Sequence, residues 1–592
     1  MGELCYDIPL GAFPSESGSL FRVFAPNALR LEIHWGSGPN SLGESIAAEE
    51  IANGLWEARS EGDLRGCFYG IAIEPRNKFS IPEKEFSNIL DPYALACYDS
   101  VGTAIAVDRS TLPIAKPHRA PSLCDSVILE GHLRDLLGLA QCGSCGANYV
   151  EFSRWLESDG NYLKSLGINA LELQPLQEFD GPDGAYHWGY MPVNYFSPTH
   201  RHGTNVEKAS QIAEFAELVN SCHGNSMALI LDVVYNHVGN PNALRMLGGD
   251  YFFRTCADGT LSNCSGCGND LRTEAPMARK LILDSLEHLL CTYGVDGFRF
   301  DLAELIDGET RCAIEERVRR LRPDAILIGE PWSFRGHCAM DMRETSWSFW
   351  NDDFRDSVRR YVTGQSNGGA LHYFAAGCTS HLTRIPQQSI NYCASHDDHC
   401  WIDSITENGS RDGELPTELD IDRSKVLMAI LFTCLGVPML AQGQDFLHSK
   451  RGNGNTYLRG DLNSLSQARL EKFADLHRQT ANWIKFRLSD GGKLLRLPNA
   501  PSRSFFQYFA AENSTAATAI LYNGDNSEGE RRLIFLVNPG QNSVTFNLSG
   551  LAERDSFHQI ASGEKFFTGD CANKLHSRHS IDAVDCELWA SG

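Results

Sequence analysis

MALILDVVYNH, Met227–His237, decides the fold: seven of its first eight residues are apolar, and Asp232, Asn236 and His237 gather toward its far end. A strand buried on both faces reads this way, apolar throughout rather than alternating. Working outward, the same short apolar run recurs in VILEGHL (Val127–Leu133), ALELQPL (Ala170–Leu176), VDGFRFDL (Val295–Leu302), AILIGEP (Ala325–Pro331), SINYCASHDD (Ser389–Asp398) and VPMLAQGQDF (Val437–Phe446). Between the runs lie helical stretches. In one of them Ala278, Leu281, Ile282, Leu286 and Leu289 share a face, with Pro276 at the start. Strands alternating with helices make βαβ units and a parallel sheet. Seven or eight such units over roughly 350 residues predict a closed (β/α)₈ barrel.

The flanks differ. In LRLEIHW, Leu29, Leu31, Ile33 and Trp35 alternate with polar residues, the period of a half-buried strand, and GLWEA and CFYGIAI follow in the same style. An N-terminal β-sandwich is predicted over 1–112, joined through the proline-containing stretch Asp91–Pro121 to a barrel over 113–490. From Gly491 short alternating strands return (RRLIFLVN, then Val544, Phe546 and Leu548), predicting a C-terminal antiparallel β domain over 491–592. At 592 residues the chain can bury such a core without disulfides or metal.

The charge narrows the function. Lys and Arg number 52 against 75 Asp and Glu, a net −23, which repels phosphate backbones and anionic lipid and argues against nucleic-acid or membrane-surface roles. The longest apolar stretch, Val426–Ala441, is broken by Thr433, Gly436 and Pro438 and falls short of a membrane span. The start, MGELCYDIPLG, lacks a basic segment followed by an apolar one, so a cytoplasmic location is expected. The nineteen cysteines are scattered. Cys142/Cys145 and Cys264/Cys267 have half-site spacing, but the pairs are too far apart in the chain for a matched zinc site, and buried free thiols are expected.

In a (β/α)₈ barrel the chemistry sits at the C-terminal ends of the strands. Polar residues there are Asp232, Asn236 and His237, then Arg299 and Asp301, then Glu330, then His396, Asp397 and Asp398. Burying unpaired carboxylates costs several kcal/mol each, so Asp301, Glu330 and Asp397 at one mouth point to chemistry. Two such acids, one ionised and one protonated, are what glycoside hydrolysis uses, with Arg299 holding Asp301 ionised. A divalent cation site is the alternative use of such oxygens. Trp188, Tyr190, Trp332, Trp347 and Trp350, taken singly, read as core. Tyr186, after the turn-rich FDGPDGA, is suited to stacking on a sugar ring.

DVVYNH, GFRFD, the segment around Glu330 and the stretch ending His396–Asp397 resemble, in order, the four signature regions of the α-amylase superfamily, glycoside hydrolase family thirteen. The resemblance implies Asp301 as nucleophile, Glu330 as general acid/base and Asp397 as transition-state stabiliser. It places Tyr186, Asp232, His237, Arg299, Trp332 and His396 on the substrate. YHWGYMPVNYFSP (Tyr186–Pro198), GEPW (Gly329–Trp332), SGCGND (Ser265–Asp270) and GQDFLHSKRGNGNTY (Gly443–Tyr457) resemble the debranching members, isoamylase and pullulanase. FRVFAPNA and DPYA resemble the sandwich that precedes the barrel there. The implied activity is isoamylase-type hydrolysis of α-1,6 branch points, with net retention, in glycogen, amylopectin or their limit dextrins. Pullulanase-type specificity, a branching or trehalose-releasing relative and a non-catalytic glucan-binding subunit are the alternatives. EGHLRD (Glu130–Asp135) and SFRGH (Ser333–His337) depart from the usual pattern. Asn236 matches a calcium ligand of many amylases, but the other ligands are not recognisable, so no cofactor and no metal are expected.

Overall fold

In the computed structural model, the described residues are 6–77, 88–140, 147–182, 184–553, 556–567 and 573–591. Eight strands close a barrel: Ile128–Gly131, Ala170–Leu173, Ala228–Val233, Gly297–Phe300, Ile326–Gly329, Ser348–Asn351, Ser389–Asn391 and Val437–Ala441. Seven of them coincide with the apolar runs. The eighth, Ser348–Asn351 (SFWN), was too short to stand out, and it carries Trp350, which with the preceding Trp347 is 1% exposed. Registers between neighbours are parallel, for example Asp232 beside Arg299 and Arg299 beside Ile328. Gly297 opens the fourth strand because the fifth approaches closely: a Cβ there would lie 2.3 Å from the Ile326 carbonyl oxygen.

The chain forms two compact units, composed of the described residues of Met1–Ala120, Cys142–Ser158 and Glu172–Cys338, and of Pro121–Gln141, Asp159–Leu171 and Ala339–Gly592. The first opens with two four-stranded sheets. Phe21, Val23, Leu31, Ile33, Trp56, Tyr69 and Ile71 fill their core. The expected alternation fails at one end, where Leu29 is 52% exposed. A register shift between Ala28 and Arg30 inserts an extra residue and turns that side chain outward. The same unit holds the helix Pro276–His288, with proline in its first turn and the expected face buried. Ser197 Oγ accepts the Cys97 amide, and Asn194 Nδ2 donates to the Asp91 carbonyl, which ties the stretch after the sheets to the segment after the second barrel strand.

The second unit ends in a seven-stranded antiparallel sheet over Phe506–Ser591, packed around Leu521, Ile534, Leu536, Phe546 and Trp589. Arg487, fully buried in this unit, caps three carbonyl oxygens, those of Phe432, Cys434 and Gly436. Among the described residues no helix is long and apolar enough to cross a membrane. The described cysteines are free thiols; Cys97, Cys222 and Cys434 are buried as expected, while Cys256, Cys291 and Cys312 are exposed. Cys142 and Cys145 lie outside the described residues.

Candidate active site

Arg299 is the hub. It sits in the fourth strand with no exposure, and its Nη1 donates to Asp232 Oδ2 at 2.8 Å and to Asp301 Oδ1 at 3.2 Å. Its Nη2 lies 2.9 Å from Glu330 Oε2. Burial opposes the guanidinium charge, but the carboxylates of Asp232, Glu330 and Asp301 outweigh it, so its pKa is raised well above the ordinary value. The parallel register explains the grouping: it puts Asp232 beside Arg299, and two residues along the strand bring Asp301 to the same side. One arginine thus carries three acids drawn from three consecutive strands.

Asp301 is held by a second group. Asn236 Nδ2 donates to both its carbonyl, at 2.7 Å, and its Oδ2, at 2.8 Å. Asn236 Oδ1 faces His237 Nδ1 at 2.5 Å, and His237 Nε2 faces the Tyr190 carbonyl at 2.8 Å. Burial pushes the His237 imidazole below its ordinary pKa, against the pull of Asp301. After Asp301 the backbone turns sharply: Leu302 has φ 39°, a left-handed conformation rare outside glycine. That turn aims its amide at Glu330 Oε2, 2.8 Å away, while Ala303 N donates to the Glu330 carbonyl. Strain beside a cluster of acids is the pattern of a working site.

Tyr190 is a correction. Read singly it was core, yet its hydroxyl donates to Asp232 Oδ2 at 2.6 Å, on the carboxylate that Arg299 also holds. Trp188, by contrast, is buried at 6% exposure, as expected. Tyr186 is half-buried four residues before Tyr190, and Trp332 is half-buried two residues after Glu330 beside the His337 ring. The departing loop Ser333–His337 is rigidly tied: the Ser333 hydroxyl and Arg335 Nε both donate to Glu304, and Phe334 N donates to the Cys264 carbonyl.

His396 and Asp397 belong to the second unit. His396 N and Nδ1 meet the two oxygens of Glu130 at 2.9 and 2.5 Å. Glu130 is 2% exposed, so the departure in the first-strand segment places a buried acid against a motif histidine. Asp397 is exposed, and its Oδ1 accepts the Asp398 amide at 3.1 Å. His399 Nδ1 lies 2.7 Å from Asp398 Oδ1. Sequence reasoning missed Glu130 here, and also Lys450, whose Nζ donates to the carbonyls of His396 and Asp398. The signal available for both was an ionisable residue inside an otherwise apolar or motif-bearing segment.

Among the described residues one group of three could converge on a metal ion, namely His118, His223 and Asp296. Their geometry argues for a clasp instead. The two imidazoles stack 3.8 Å apart and 9° from parallel, so their in-plane lone pairs do not meet at one point. Arg322 also pairs with the same carboxylate. Burial would raise the Asp296 pKa, but His223, Arg322 and His118 together lower it.

The sequence model "Alpha amylase, catalytic domain" matches residues 158–245. The chain is 31% identical over 525 residues to pullulanase of Bacillus subtilis (strain 168), covering 80% of this chain and 70% of that one. It is 27% identical over 694 residues to the chloroplastic isoamylase 1 of Oryza sativa subsp. japonica, covering 96% and 84%. Among solved structures, pullulanase from Bacillus acidopullulyticus superposes with a TM-score of 0.89 at 25% identity, covering 99% of this chain and 76% of that one. Pullulanase type I from Bacillus subtilis str. 168 complexed with maltose superposes with a TM-score of 0.86 at 26% identity, covering 99% and 85%.

Proposed function

The chain belongs to the debranching glycoside hydrolases of the α-amylase family, and on that premise we propose that Asp301, Glu330 and Asp397 carry out α-1,6 cleavage in glycogen, amylopectin or their limit dextrins. The observation that carries this reading is the buried Arg299 bound at once to Asp232, Asp301 and Glu330. In the proposed reaction Asp301, held in place by Arg299 and Asn236, attacks the anomeric carbon of the branch-point glucose. Glu330 protonates the departing 6-oxygen. Its Oε2 is engaged by Arg299 and the Leu302 amide, which hold the carboxyl group in place. Water deprotonated by Glu330 then releases the chain. Net retention, the proposed outcome, requires the two carboxyl groups to stand about 5–5.5 Å apart, against about 6.5–9.5 Å in inverting enzymes.

Asp397 is assigned to stabilising the oxocarbenium-like transition state, and His396 and His237 to holding the sugar there. Tyr186 and Trp332 supply aromatic faces for the ring's apolar C–H surface. The proposed steps are written without a metal ion, and the Asn236 amide serves in them to hold Asp301 and to meet His237. A reducing cytoplasm is the proposed setting, supported by free thiols at Cys256, Cys291 and Cys312 on the surface.

Pullulanase-type specificity is the second reading, favoured by the likeness to the Bacillus subtilis pullulanase and to solved pullulanases. Chain-length analysis of products from amylopectin, phosphorylase limit dextrin and pullulan separates the two. Cleavage of pullulan selects the pullulanase type, and linear chains from amylopectin with pullulan untouched select the isoamylase type. An Asp301→Asn variant that still released reducing ends at near the wild-type rate would overturn the assignment.

A further inference from the structure

We propose that Lys450 is a positioning residue for Asp397: its buried ammonium grips the backbone on both sides of that carboxylate and sets the direction in which it points. Lys450 is 3% exposed, and its Nζ donates to the His396 carbonyl at 2.8 Å and to the Asp398 carbonyl at 2.7 Å. These are the two residues that flank Asp397.

The turn between them needs such a grip. Asp397 and Asp398 are both exposed, so packing does not hold them. Asp398 adopts φ 64°, a left-handed conformation that costs free energy in a non-glycine residue. The Asp398 amide in turn donates to Asp397 Oδ1, so the orientation of that peptide and of the carboxylate are coupled. Glu130 steadies the preceding residue through the two His396 contacts, the Ser395 hydroxyl donates to the Asp397 carbonyl at 3.3 Å, and Arg359 reaches the Asp398 side chain at 3.3 Å, whereas Lys450 bonds the carbonyls on both sides of Asp397.

Lys450 is itself anchored. Its amide donates to Asp403 Oδ2 at 2.8 Å, and Asp403 is fully buried, with Oδ1 accepting the Ser449 hydroxyl and the Gly413 amide. The loop is bent into place by left-handed residues on either side, Leu447 at φ 58° and Arg451 at φ 53°. A buried ammonium is costly unless oxygen atoms replace its water, and here two carbonyls do so. A neutral side chain of the same length would leave both carbonyls without that donor and free the turn.

The inference rests on the assignment of Asp397 above, and a double-mutant cycle keeps the two apart. Lys450→Met is expected to fold, to keep KM within about twofold, and to lose about ten- to hundredfold in kcat, the signature of misplacement felt only in the transition state. In an Asp397→Asn background the same substitution is expected to cost nothing further, because the group it positions is already disabled. Lys450→Met with wild-type kcat, or with its full loss retained on top of Asp397→Asn, overturns the proposal. Near-wild-type activity of Asp397→Asn alone overturns the assignment of Asp397 and with it this inference. Should Lys450→Met fail to fold, Lys450→Arg, which keeps the charge but spaces its donors differently, takes its place in the cycle with the same two readings.

Discussion

Asn236 grips Asp301 twice, donating from one nitrogen to the backbone carbonyl at 2.7 Å and to the side-chain Oδ2 at 2.8 Å. The carboxylate proposed as nucleophile therefore cannot rotate without breaking a bond to a residue that is itself fully buried. Asn236→Leu is expected to lower kcat about a hundredfold, in line with removal of one donor from a reacting oxygen, with little change in KM. Steady-state kinetics on amylopectin check this, and an unchanged kcat would show that the grip is structural only.

Arg299→Lys should fare worse than a charge-conserving change suggests. Lysine cannot reproduce the planar fork that joins Asp232, Asp301 and Glu330. Leaving buried carboxylates without their partner is expected to lower stability by about 3–5 kcal/mol and to abolish activity together. Urea unfolding measures the first, and a stability change under 1 kcal/mol would mean that water replaces the guanidinium.

Tyr190→Phe removes only the hydroxyl that donates to Asp232. Asp232 keeps both bonds from Arg299, so a loss of about 1–2 kcal/mol in stability is expected, with the barrel intact. A crystal structure of the variant in which the Asp232 carboxylate has turned away from Arg299 would show that Tyr190, rather than Arg299, sets its orientation.

Acid sensitivity is expected from His448. Burial lowers its pKa to about 4. The unfolded chain takes up this proton below the ordinary value of about 6.5, whereas the folded chain does so only near 4, so stability falls as pH drops through that window and the effect is absent above it. One group with this shift accounts for about 3 kcal/mol at the acid end. Urea midpoints between pH 4 and 7 for the wild type and His448→Gln test it: the variant's profile should be flatter, and parallel profiles would remove His448 as the cause.

The sequence by itself determined the barrel and most of the acids in it. Apolar runs such as Ala228–Val233 report burial on both faces, and Asp301, Glu330 and Asp397 stand at the ends of such runs, where a barrel assembles its chemistry. It also set the helix beginning at Pro276. Periodicity is a local property, however, and it records which face is buried without recording against what. It could not see the register shift that exposes Leu29, nor the short strand Ser348–Asn351. Nor could it tell that Tyr190 bonds Asp232 rather than filling core. The tertiary structure alone decided the partners: Asn236 with Asp301, Glu130 with His396 across 266 positions of the chain, and Lys450 with the carbonyls beside Asp397. A polar side chain in a buried segment carries the same local pattern whether an arginine, a carbonyl or a histidine satisfies it. Only the closing of the fold chooses among them, because only then do groups distant in the chain come within hydrogen-bonding reach.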